Sequence, residues 1–101
     1  MADSELTIRG IIDKLIDNQL SDVDLVITHK TFESMKYSGA IRGDRRDAVF
    51  GFIMGTLQSN FGALFRLMFN RNPNTDEMAI AVEVYQKNIY RIKSRIDETF
   101  T

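Results

Sequence analysis

The stretch AVFGFIMGTLQSNFGALFRLMF, residues 48–69, carries a single charge, Arg66, and no proline. Val49, Phe50, Phe52, Ile53, Met54, Leu57, Phe61, Leu64, Phe65, Leu67, Met68 and Phe69 would lie on every side of a helix. A helix that is apolar all round is expected either in a membrane or deep inside protein. The length suits a bilayer. Thr56, Gln58, Ser59 and Asn60 fall near its middle, however, where lipid penalises polar groups most, and Arg66 sits well inside. Burial against other helices is therefore the reading, with no membrane span.

Extended from Arg45 to about Asn70, this helix would be about 39 Å long. A compact domain of this size measures roughly 33 Å across, from a radius of gyration near 13 Å. The helix must bend or reach into a partner, and a partner would also supply cover. A homodimer is expected.

Ala48, Gly51, Gly55, Ser59 and Gly62 recur at spacings of three and four, along one face. Each interior glycine costs about 1 kcal/mol relative to alanine, against a typical total stability of about 5–15 kcal/mol. Close approach of another helix would offset that cost. Bulky neighbours within the chain, or a bend, would explain the glycines equally well.

Outward from this segment, three more helices are expected. Ser4 to about Gln19 shows Leu6, Ile8, Ile11, Ile12, Leu15 and Ile16 at helical spacing. Ser21, with Asp22 and Asp24 behind it, starts a second helix that Ser38-Gly39 ends. Within it Leu25-Val26-Ile27-Thr28 is β-branched enough for a short strand to compete. Asp44 caps the third helix, and Asn72-Pro73 breaks the chain after it. Asn74 and Glu77 form a capping-box pattern for a fourth helix from Asp76 to Asp97, followed by a frayed end at residues 98–101. In that helix Met78, Val82, Tyr85, Ile89, Ile92 and Ile96 trace a heptad seam. Ile89, Ile92 and Ile96 are accordingly candidates for helix packing or a dimer interface.

The 101 residues fit one domain, 1–101, with ordinary globular composition: 44% hydrophobic and 27% charged. There is no cysteine, which removes disulfides, thiolate metal sites and thiol catalysis. The acidic N-terminal segment does not resemble a secretion signal, and a cytoplasmic location is expected. Net charge is −1 but uneven, at −4 over residues 1–34 and +4 over residues 35–72. The simplest explanation is that the two parts lie near each other in the fold.

Catalytic patterns are missing. His29 is the sole histidine, and with Glu33 it offers two metal ligands where a site needs three or four. No Glu-x-x-His pair, His-Glu-x-x-His motif or phosphate-binding glycine loop occurs. Neither enzyme activity, a metal nor a cofactor is expected. Arg42-Gly43-Asp44 reads as a turn and a helix cap. Lys36, Arg42, Arg45 and Arg46 form the best polyanion-contact candidate, because arginines at a helix start oppose its dipole.

The combined expectation is an all-α, four-helix bundle-like domain, dimeric through its long third helix. Its expected role is a non-enzymatic scaffold, adaptor or small regulatory subunit, partnered by its own copy or another helical protein. The alternative is a nucleic-acid-binding accessory protein using the arginine cluster.

Overall fold

The structure is a computed structural model that describes residues 2–39 and 43–100, and these residues form helices joined by short turns, with no strand among them. Five helices follow one another: α1 (Ala2–Gln19), α2 (Asp22–Tyr37), α3 (Arg45–Phe69), α4 (Thr75–Lys87) and α5 (Ile89–Thr99). Local chemistry places most of their ends. The Ser21 hydroxyl accepts from the Asp24 N–H, and the Asp44 carboxylate from the Arg46 N–H at 2.9 Å. Asn74 and Glu77 close a reciprocal capping box, at 2.8 and 2.9 Å. α3 stops one turn before Pro73, because Asn70 adopts the left-handed conformation (φ 54°) and donates its N–H to the Arg66 carbonyl.

The β-branched run at residues 25–28 is helix. No second strand is present among the described residues to pair with it, and the Thr28 hydroxyl bonds back to the Asp24 carbonyl at 2.8 Å. Leu25, Thr28 and Phe32 form its buried stripe.

The expected fourth helix is two helices. Asn88 ends α4 by turning its side-chain amide onto the Val84 carbonyl at 2.8 Å, which competes with continued helical bonding. The apolar face continues across the break. Ala81, Val84 and Tyr85 are buried before it, and Ile92 and Ile96 after it, while Val82 of the expected seam faces solvent. Of the expected frayed end, Glu98 and Thr99 continue α5, and Thr101 lies outside the described residues. Phe100 is buried and packs its ring on His29 at 4.7 Å.

The arrangement places α1, not α3, between two helices. α1 packs on α3 along one side and on α4 along the other, while α3 and α4, though consecutive, do not pack together. Ile8, Ile12 and Ile16 of α1 are wholly buried in this position. α2 and α5 also pack on α3. All of α3's neighbours therefore engage the part of it that carries Val49, Ile53, Leu57, Phe61 and Phe65, a row of every fourth residue that is fully buried. The result is an elongated bundle, 47 × 22 × 22 Å, with a radius of gyration of 15.0 Å against about 13 Å for a compact domain of this size.

The all-round burial expected of α3 is thus overturned. Among the described residues it is the one helix long and apolar enough to cross a membrane, judged by length and composition, yet only 28% of its most apolar window is buried. One face packs in the bundle, and the other is bare.

Candidate functional site

The bare face consists of two adjacent rows of every fourth residue. The first is Gly51, Gly55, Ser59, Ala63 and Leu67, all exposed, with Asp47 leading into it. The second is Phe52, Thr56, Asn60, Leu64 and Met68, of which only Thr56 is half-buried. Leu67 is 80% exposed and Met68 57%, unusual values for large apolar side chains at the end of an ordered helix. Gly51, Phe52, Gly55, Thr56, Ser59 and Asn60 line a shallow groove along the helix surface. A groove of small residues beside a ridge of large ones suits a second helix, whose own ridge can lie in it.

The glycines do not serve packing within the chain. A methyl group built on Gly51 or Gly55 would meet nothing within 4 Å. On Gly62 it would meet only the Arg66 guanidinium, at an ordinary 3.5 Å. Bulky neighbours within the chain are therefore not what these residues accommodate, and no turn or positive φ requires them here. Ala48 is half-buried against the core, so it lies off the bare face. Ala63 and Leu67 belong to the face although their spacing did not single them out.

The second candidate set lies in the bundle. Ile92 and Ile96 are fully buried and Ile89 half-buried, so all three serve the chain's own packing.

The basic cluster is built into ion pairs. Arg45 of α3 pairs with Glu33 of α2 and lies over the Phe100 ring at 6.0 Å. Arg46 reaches back to Asp44 at 3.3 Å and across to Asp97 of α5 at 3.6 Å. The hydrogen bonds from Arg46 hold the Asp44 carboxyl below its ordinary value and raise Arg46 in turn. Lys36 is exposed at the mouth of a cleft it shares with Asp44, Arg45, Arg46 and Phe100, and Arg42 lies outside the described residues. A phosphate at this end would have to displace carboxylates already in place. Glu33 also approaches His29 at 3.6 Å, so both potential ligands are engaged, and no group of three or more carboxylates and histidines gathers among the described residues.

The uneven charge of the chain is resolved mostly at its ends. Acids of the N-terminal segment hold bases of α5 and of α1 itself, and Arg9 of α1 also reaches an acid of α4. Arg9 bridges Glu5 and Glu83, Arg91 pairs with Asp17, and Arg95 pairs with Asp22 at 2.8 Å. Compared with known protein families, with curated proteins and with solved structures, the chain matches none of them.

Proposed function

We propose that the protein is a non-enzymatic helical interaction protein, a scaffold, adaptor or small regulatory subunit, that associates through the bare face of α3. The observation that carries this reading is the open space in front of Gly51 and Gly55. Two glycines in the middle of a helix cost about 2 kcal/mol relative to alanine, and nothing within the chain returns it. Contact with another helix would return it through close backbone approach and burial of Phe52, Leu64, Leu67 and Met68.

Thr56, Ser59 and Asn60 lie at the centre of the face, with Gln58 exposed beside them. Such groups favour a protein surface, which can satisfy them, over a bilayer interior, which cannot. A second copy of the chain is the first partner to consider, giving a homodimer. The face is uncharged from residue 48 to residue 65, so two copies meet without like-charge repulsion.

Gly55→Leu tests the reading. The position is open in the isolated chain, so the variant should keep its helical circular dichroism and fold normally. It should lose association, seen as a molar mass that no longer rises with concentration. A Gly55→Leu protein that assembles as the parent does would remove the α3 face from the function.

A further inference from the structure

Resting on that reading, we infer that the occupant of the α3 face is a second copy running antiparallel, with the two-fold axis between Gly55 and Ser59. The signal is in the charges that border the face. Of the described arginines, Arg9, Arg45, Arg46, Arg71, Arg91 and Arg95 each hold a carboxylate. Arg66 alone forms no ion pair, and its guanidinium lies over Gly62 at the edge of the bare face. At the other end Asp47 is exposed on the rim of a cleft it shares with Arg46 and Lys93, and its carboxylate closes no ion pair with either.

These two groups have opposite signs and sit roughly 28 Å apart along the axis of one helix. A parallel pairing would place Asp47 against Asp47 and Arg66 against Arg66. An antiparallel pairing brings Asp47 of each copy to Arg66 of the other, forming the same contact twice by symmetry. It also sets the two helix dipoles head to tail. The register follows from the small row. With the axis between Gly55 and Ser59, Gly51 faces Ala63 of the other copy, and Asp47 falls at its Leu67 and Arg66. A shallow crossing of about 20° keeps the ends of the two helices together over this length. Exposed pairs of this kind contribute about 0–1 kcal/mol each, so they choose the orientation while the apolar face supplies affinity.

The absence of cysteine makes a direct test possible. Gly51→Cys and Ala63→Cys are prepared as separate proteins, both at exposed positions, and mixed under mild oxidation at a concentration well above that at which the parent associates, because the larger side chain at 51 weakens the pairing. In the antiparallel register the two variants cross-link with each other, and neither cross-links with itself. Self-linking of each variant would show a parallel pair, overturning the orientation and leaving association through the face intact. No cross-link, with the parent monomeric by light scattering, would overturn self-association altogether. So would flotation of monomeric parent protein with phosphatidylcholine–phosphatidylglycerol vesicles, which would give the face to lipid. A charge exchange provides the second arm. Asp47→Arg and Arg66→Asp should each raise the dimer dissociation constant about three- to tenfold, and the double variant should restore it. Failure of the double variant to recover affinity would also overturn the pairing.

Discussion

Arg71 grips both carboxylate oxygens of Glu77, at 2.6 and 2.9 Å, and so ties the turn after α3 to the first turn of α4. The guanidinium also lies over the Phe65 ring at 5.1 Å and the Phe69 ring at 5.8 Å, which are themselves stacked. Glu77 is only 6% exposed, and besides Arg71 it accepts the Asn74 N–H of its own capping box. One buried carboxylate therefore joins a helix cap, an ion pair and an aromatic stack.

That carboxylate should make the fold acid-sensitive. The Arg71 hydrogen bonds, with help from the Asn74 N–H, hold its pKa down to about 2. Because the folded value lies below the unfolded one, its contribution is complete above about pH 4.5 and is lost as pH falls from there through about 2. Urea titrations across this range should show a declining midpoint. Glu77→Gln keeps an acceptor for the capping box and should flatten that decline, while Glu77→Ala should cost about 2 kcal/mol at neutral pH. An acid profile unchanged by Glu77→Gln would put the sensitivity elsewhere.

Tyr85 presents the opposite case. Its ring is buried in α4, and its hydroxyl finds no hydrogen-bond partner among the described residues. Tyr85→Phe should then be as stable as the parent, or more stable by about 1 kcal/mol. Burial pushes the phenol up to about 12. With the folded value raised, the parent should lose stability as pH climbs from about 10 through 12, a loss the Phe variant lacks. Thermal melts of the two proteins at pH 7 and pH 11 check both statements. A clearly destabilised Tyr85→Phe at neutral pH would mean that the hydroxyl has a partner in solution.

Three glycines separate helix propensity from association. Gly10 is exposed on α1 with nothing near an added methyl, so Gly10→Ala should stabilise the chain by about 1 kcal/mol at every concentration. Gly51→Ala and Gly55→Ala face equally open space within the chain and should give a similar gain in dilute, dissociated protein. At high concentration they should weaken association, so the gain should shrink or reverse. Chemical denaturation of all three at micromolar and high micromolar protein decides this. If Gly51→Ala and Gly55→Ala track Gly10→Ala throughout, the face is not packed against anything.

Much of the fold is legible in the chain because it is written locally. The caps at Ser21, Asp44 and Asn74 depend on a side chain and a backbone N–H two or three residues away, and each can be read from spacing alone. The Asn88 break was hidden because asparagine is tolerated inside helices, and only its turn onto the Val84 carbonyl ends α4. The docking of Phe100 on His29 spans distant residues and leaves no local pattern.

The bare face of α3 is half legible. Gly51, Gly55 and Ser59 stood out by spacing, but apolar residues all round α3 concealed its phase, so Ala48 and Gly62 were grouped with them and Ala63 and Leu67 were not. Composition reports how much of a helix prefers to leave water. It does not report whether its own chain or another supplies the cover. The partners of Arg45 and Arg46, on α2 and α5, likewise depend on which helices meet, and single-chain spacing carries no trace of that.

Light scattering across a protein concentration series is the first measurement to make. Association through the α3 face predicts a molar mass rising from 11.6 kDa toward twice that value, with Gly55→Leu remaining at 11.6 kDa. A parent protein that stays at 11.6 kDa at every concentration would contradict self-association.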